Sequence, residues 1–145
     1  MPDVTHLFLK IAHGQPMLPV RQVHAQAGQG LEGDVSFGRS TRQLLLVDSD
    51  VLARFDLPPG TLRENLVVRG LPLAAIPPGA LLRAGEAVLE ATGECEPCGL
   101  LDQHRPGLRE SIRGQRGLLA RIRTGGQIRI GDSVEIVVPG PATGG

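Results

Sequence analysis

The hydrophobic positions of this chain fall in short runs that turn residues separate. Most runs are four to seven residues long, are rich in Val, Ile and Leu, and are bounded by Gly or Pro. Short apolar runs at this spacing are typical of a β sandwich or barrel. We therefore predict a mostly β fold whose main strands lie within residues 5–11, 43–47, 66–69, 80–83, 87–92, 118–123 and 133–138.

Near the end of the chain the pattern becomes strictly alternating. Val134, Ile136 and Val138 are separated by single residues, as a half-buried strand requires. The stretch RIRTGGQIRIGDSVEIVVP, residues 121–139, predicts strand, Gly-Gly turn, short strand, Gly-Asp turn and final strand.

Two segments depart from the strand pattern and predict short helices. Residues 49–55 begin with a serine suited to an N-cap, and Pro58 and Pro59 follow them. Residues 107–113 begin just after Pro106. We expect one to three short helices in a single β-barrel-like domain.

Length and composition narrow the class of protein. A chain of 145 residues suits one domain, which we assign to residues 1–138, with a flexible C-terminal tail at 139–145. It has three Phe but no Trp or Tyr, so it lacks the rings on which nucleic-acid bases stack. Fifteen basic residues balance fifteen acidic ones, which gives no electrostatic reason to expect a nucleic-acid or membrane partner.

We find no export signal or membrane-spanning run, and expect a cytoplasmic protein with reduced thiols.

Both cysteines lie in ECEPCGLLDQHRPG, residues 94–107. Cys95 and Cys98 have the spacing of a dithiol redox pair, but such pairs usually open a helix early in a βαβ fold. A structural zinc site needs four ligands, and the four histidines have no suitable spacing near the cysteines. Two incidental apolar cysteines are the third alternative.

Four segments in order resemble the MOSC domain, the module at the C-terminal end of molybdenum-cofactor sulfurases. The resemblance runs from about residue 4 to residue 138 and includes Pro-Cys after a strand, at residues 97–98. The segments are GLEGDVSFGRSTRQLLLVD (30–48), LPPGTLRENLVVRGL (57–71), PPGALLRAGEAVLEATGECEPC (77–98) and RGLLARIRTGGQIRIGDSVEIV (116–137).

The resemblance implies a mostly β, barrel-like fold and a molybdenum cofactor (molybdopterin) whose metal takes a cysteine thiolate. Cys98 stands at the family's Pro-Cys position, whereas Cys95 matches no required position. A thiolate is a soft ligand that suits molybdenum, and it can also carry sulfur as a persulfide. The resemblance thus makes Cys98 both the catalytic residue and the metal ligand.

Further site residues follow from the same resemblance, and three of them also have a structural alternative. Arg42 would grip a phosphate or carboxylate, or would be a surface charge. Asn65 would read a pterin edge, or would belong to a turn. Glu64 would anchor that loop or bind a basic group, and Asp34 would brace a glycine-rich turn at the cofactor mouth. Arg121 would bind an anion, or would pair with a carboxylate on a strand face.

Two functions of different classes remain open. The first is sulfur transfer or reduction of N-hydroxylated compounds, with a small-molecule substrate and an electron-donor or sulfur-donor protein, since the chain has no flavin fingerprint or iron–sulfur cysteine set. The second is a non-catalytic carrier of sulfur or of the cofactor. We expect no pyridoxal phosphate, because a Schiff base needs a lysine in a pocket and Lys10, the single lysine, is predicted at a strand end.

Overall fold

The computed structural model describes residues 1–139, so all but the first residue of the predicted tail lie outside the described part. The prediction of a mostly β chain with up to three short helices is confirmed. Eleven strands are present among the described residues: β1 (Asp3–Leu9), β2 (Leu18–Val20), β3 (Gln22–Gln26), β4 (Gly30–Leu31), β5 (Leu44–Asp48), β6 (Leu66–Arg69), β7 (Leu81–Ala84), β8 (Ala87–Glu94), β9 (Leu118–Thr124), β10 (Gly126–Arg129) and β11 (Val134–Val138).

The strands form two sheets. The larger has eight strands in the order β11-β7-β8-β9-β5-β6-β1-β2, and the smaller has three in the order β10-β3-β4. All pairs are antiparallel except β5 with β6. A short bridge joins Asp3 to Ser133, but no closed barrel is found in the described chain, so the barrel-like form stays a prediction.

The three helices are short: α1 (Ser49–Arg54), α2 (Leu100–His104) and α3 (Leu108–Ser111), with a 3₁₀ turn at Leu73–Ala75. Asp48 caps α1 by accepting the Asp50 N–H at 2.9 Å, so the cap lies one residue earlier than the predicted Ser49. Helix α2 was not predicted. None of the described helices has the length and apolar character that a membrane crossing requires.

Strand β5 is buried on both faces, which explains its unbroken LLLV run. Leu44 and Leu46 belong to the larger hydrophobic core cluster, whereas Leu45 and Val47 belong to a second cluster that includes residues of all three helices. This is the alternation that a strand imposes on successive side chains. The parallel partner β6 begins at the same sheet edge as β5, so the loops that precede the two strands lie close together.

Candidate functional site

A cleft of about 220 Å³ opens beside the start of β5 and β6. It draws residues from five parts of the chain: the end of β1, the loop before β5, the loop before β6, the cysteine segment and the loop before β9. Its lining consists of Lys10, His13, Asp34, Ser36, Arg39, Arg42, Leu44, Leu45, Leu62, Arg63, Asn65, Cys95, Cys98, Leu100, Arg116 and Leu119. We call this set the cleft.

The two cysteines both line the cleft but differ in exposure. Cys98 is exposed, Cys95 is buried, and both thiols are free. The backbone N–H of Cys95 donates to the Gly117 carbonyl at 2.8 Å, which fixes the cysteine segment against the loop before β9. The Cys98 carbonyl accepts the Leu101 N–H at 3.1 Å at the start of α2. The accessible thiol is therefore that of Cys98, the cysteine that the sequence resemblance indicated.

The lining is strongly basic, although the chain as a whole has no net charge. Asp34 is the one acidic residue among the described residues that line the cleft, and its carboxylate already accepts hydrogen bonds from the protein. It accepts the backbone N–H groups of Lys10 at 2.7 Å and Ser36 at 3.0 Å, and the side-chain amide of Asn65 at 2.9 Å. Asp34 thus braces the loop and pairs with no guanidinium of the cleft.

The side-chain amide of Asn65 is hydrogen-bonded to groups of the protein itself. Its Nδ2 donates to the Phe8 carbonyl at 3.1 Å and to Asp34, while its Oδ1 accepts the Leu45 N–H at 3.0 Å. Both N–H donors are taken, and the side chain is 5% exposed. The contacts fit a residue that ties β1, β5 and the loop before β6 together better than one that reads a pterin edge.

Arg116 carries the least satisfied group of the cleft. It is 8% exposed, and its Nε and Nη1 are buried without a hydrogen-bond partner among the described residues. A buried charge without a partner costs several kcal/mol, about 3 or more, unless something neutralises it. The sequence offered no signal that separates Arg116 from the other arginines, and we did not predict it.

Glu64 lies behind the cleft and does not line it. It is fully buried, and its Oε2 accepts the Gly60 N–H at 2.9 Å, as expected of a loop anchor, while Oε1 has no partner. Burial raises the pKa of the Glu64 carboxyl above its usual value, and the Gly60 N–H and the positive charge of Arg116 act in the opposite direction. Arg116 and Glu64 form no ion pair, so each keeps an unpaired atom.

The loop that carries Arg42 is held from both ends. Gln43 is buried, donates to the Arg39 carbonyl at 2.7 Å and accepts the Ile122 N–H at 2.8 Å. Thr92 donates to the Thr41 carbonyl at 2.8 Å. Arg42 itself is exposed at the cleft with no described carboxylate on it, which leaves its guanidinium available to an anion.

Arg63 lines the cleft and has an unusual backbone conformation. Its φ is +61°, a left-handed conformation that costs a non-glycine residue on the order of 1 kcal/mol. Its guanidinium donates to the Gln15 carbonyl at 2.7 Å. This hydrogen bond orients the guanidinium, and because the acceptor is neutral the positive charge is not compensated.

Arg121 is not brought to the cleft. On β9 it pairs with Glu90 of β8 at 3.1 Å, and Arg123 pairs with the same carboxylate at 2.7 Å. The strand-face alternative for Arg121 therefore describes its contacts.

Lys10 follows β1, as the predicted strand end requires, but its side chain also lines the cleft. We expected no pyridoxal phosphate because we placed the single lysine at a strand end and not in a pocket. That reason is wrong, since Lys10 lines the cleft, and the absence of pyridoxal phosphate stays a prediction. Partial burial lowers the pKa of Lys10, as does the neighbouring Arg63.

No group of three His, Cys, Asp or Glu side chains among the described residues could by itself hold a metal ion. The cleft offers instead one soft, accessible thiol beside a cluster of cations. Such a set suits an anionic ligand, with the thiol free to bind or attack a soft atom.

The fold and the family of this chain are shown by comparison with known proteins. A family model described as the MOSC domain matches residues 33–135, most of the chain, so the chain belongs to the MOSC domain family and the predicted resemblance is confirmed. Comparison with curated proteins gives no match.

Solved structures agree on the fold. The YuaD protein from Bacillus subtilis superposes with a TM-score of 0.78 at 19% identity, over 94% of this chain and 96% of that one. YiiM from Geobacillus stearothermophilus gives 0.75 at 19% identity, over 94% and 75% of the two chains. YiiM from Escherichia coli gives 0.72 at 20% identity, over 94% and 70%. At these identities the likeness concerns the fold alone.

Proposed function

We propose that this MOSC domain binds a molybdenum cofactor in the cleft, with the Cys98 thiolate as the protein's ligand to molybdenum. Its activity would be sulfur transfer or the reduction of N-hydroxylated compounds in the cytoplasm. The observation that supports this best is the position of Cys98: the exposed thiol shares one cleft with Arg116, whose buried nitrogens have no described partner.

The residues of the cleft fit the cofactor's two kinds of group. Cys98 offers a soft sulfur to the metal, and the phosphate of the cofactor suits the guanidinium groups, of which Arg116 is the least satisfied. Arg42 and Arg63 offer charge at the more accessible side. Asn65, Asp34 and Glu64 act indirectly in this proposal, because their hydrogen bonds hold the loops that carry the cations.

The size of the cleft favours partial enclosure. Its volume of about 220 Å³ is below the roughly 300–1,000 Å³ of typical small-molecule pockets, so part of the cofactor would stay accessible. The bound group would supply two-electron and sulfur chemistry at its metal. The chain's own part is to hold the phosphate, to present the thiol and to leave an open side for substrate and for an electron-donor or sulfur-donor protein.

A non-catalytic carrier of sulfur is the second candidate, and the exposure of Cys98 favours it equally. A persulfide on an exposed thiol can be passed to another protein without any metal. Cys95 is buried in the same segment and provides a matched control.

Metal and sulfur analysis separates the two functions. We would purify the protein and its Cys98→Ser and Cys95→Ser variants from a host that makes molybdenum cofactor, then measure molybdenum and cyanide-releasable sulfur. Stoichiometric molybdenum that is lost in Cys98→Ser and kept in Cys95→Ser supports the cofactor proposal. Cyanide-releasable sulfur on Cys98 without molybdenum supports the carrier. If the wild type carries neither, both proposals are wrong.

A further inference from the structure

Lys10 offers the cleft an amine that the proposed function does not use. It is the only lysine of the chain, and its backbone N–H is fixed by Asp34 at 2.7 Å. Its side chain lines the cleft, and its Nζ has no hydrogen-bond or ion-pair partner among the described residues. A partly buried amine without an ion-pair partner loses solvation that favours its protonated form, and no direct contact replaces that solvation.

The charges around Lys10 act mostly in one direction. Loss of solvent has the largest effect on its pKa, followed by Arg63; Arg39 and Arg116 also lower it, and Asp34 raises it. Asp34 keeps its negative charge, since its three hydrogen bonds come from neutral N–H groups, but its effect on Lys10 is smaller than that of lost solvent or of Arg63. An amine with a lowered pKa has a larger neutral fraction near pH 7, and the neutral form is the nucleophile.

The same neighbours select for the charge of a reaction partner. Arg39, Arg63 and Arg116 form no ion pair with a described carboxylate, and Arg116 has two buried nitrogens without partners. A carbonyl compound with a carboxylate or phosphate group would be held by these arginines while its carbonyl carbon faces the amine. The same cleft thus supplies the arginines that bind the anionic group and the amine that acts as nucleophile.

We propose that Lys10 forms an imine with small carbonyl compounds that carry a carboxylate or phosphate group, with the arginines of the cleft binding the anionic group. The Nζ lone pair attacks the carbonyl carbon, and the carbonyl oxygen leaves as water with both amine hydrogens. A carbon–nitrogen double bond replaces the carbon–oxygen double bond, and nothing is oxidised or reduced. The reaction needs neither molybdenum nor Cys98, so it stands apart from the proposed cofactor.

Reductive trapping tests this on the intact chain purified from a host without molybdenum cofactor. The protein is incubated with glyoxylate and cyanoborohydride, which reduces only the imine, and the adducts are located by peptide mass mapping. The amine of Met1, a residue that is 96% exposed, serves as the internal reference. Propanal, an aldehyde without charge, serves as the control reagent.

We expect the ratio of Lys10 to Met1 labelling to be about tenfold higher with glyoxylate than with propanal, the size of one charge-assisted contact. Arg116→Met should lower that ratio several times more for glyoxylate than for propanal, because both aldehydes feel the rise in the Lys10 pKa and only glyoxylate loses a binding contact. Lys10→Arg should lose the internal adduct and keep the Met1 adduct. Equal ratios for the two aldehydes, or no adduct on Lys10, would overturn the proposal. Molybdenum content of Lys10→Arg from a cofactor-producing host reports on the proposed function separately.

Discussion

Two clusters of arginine in this domain are built in opposite ways. In the first, Arg121 and Arg123 flank Glu90 across the β8–β9 pair, with N–O distances of 3.1 and 2.7 Å; we call these three residues the Glu90 cluster. In the cleft, Arg39, Arg42 and Arg116 contact no described carboxylate, and the one acid there is saturated by N–H donors. The residue types are alike, and the position of the nearest acid decides which cluster is available to a ligand.

The comparison also shows what each cluster contributes to the fold. Exposed ion pairs contribute little, about 0–1 kcal/mol each. The framework of the cleft instead consists of the buried, hydrogen-bonded side chains of Asn65 and Asp34, while the cations of the cleft form no ion pair with a described carboxylate. We therefore expect the framework of the cleft to dominate stability, its cations to dominate binding, and the Glu90 cluster to do little of either.

The largest expected effect comes from removing the framework. Asn65→Ala leaves the buried Leu45 N–H without its acceptor and removes the donors to Phe8 and Asp34. Because an unsatisfied buried polar group alone costs about 1–3 kcal/mol, we expect a loss of about 3 kcal/mol in the free energy of unfolding, measured by urea denaturation. Glu90→Gln is the matched control and should lose less than about 1 kcal/mol. A loss of similar size in the two variants would remove the contrast between the regions.

The next effect concerns anion binding. Arg116→Met removes the buried guanidinium, and we expect affinity for inorganic phosphate to fall by about 10- to 100-fold, as charge-assisted hydrogen bonds are worth about 1.5–3 kcal/mol. Arg121→Met, in the Glu90 cluster, should change that affinity by less than about twofold, since its guanidinium lies outside the cleft. NMR titration with phosphate measures both.

Stability provides the control for Arg116→Met. Arg116→Met replaces a buried cation without an ion-pair partner by an apolar side chain, which removes an uncompensated desolvation cost. We therefore expect weaker binding with an unchanged or higher free energy of unfolding. If both fall together, Arg116 supports the fold and not a ligand.

The sequence predicted the fold better than the site. Strands such as β6 and β8 were predicted because the runs 66–69 and 87–92 record burial directly. Strands β2, β3 and β4 were not predicted: β2 and β4 are too short to leave a pattern, and β3 buries only two residues between exposed ones. Among site residues, the resemblance indicated Cys98 and Arg42, which do line the cleft. It gave no reason to choose Arg116 over Arg121, because that choice depends on a cross-strand partner, Glu90, that is 31 residues away in the sequence.

The smallest expected effect is a pH dependence of opposite sign in the two regions. Burial raises the pKa of Glu64, so its contribution to stability is full below the unfolded value of 4.5 and is lost as the pH rises through the folded pKa. Hydrogen bonds from Arg123, and also from Arg121, lower the pKa of Glu90, so its contribution is present above 4.5 and is lost as the pH falls through its folded pKa.

Relative to Glu64→Gln, the wild type should gain stability as the pH falls toward 4.5. Relative to Glu90→Gln, it should lose about 1 kcal/mol or less, and only below about 4.5. Denaturation of the three proteins from pH 3 to pH 8 measures both slopes, and slopes of the same sign would show that Glu64 is paired in solution as Glu90 is.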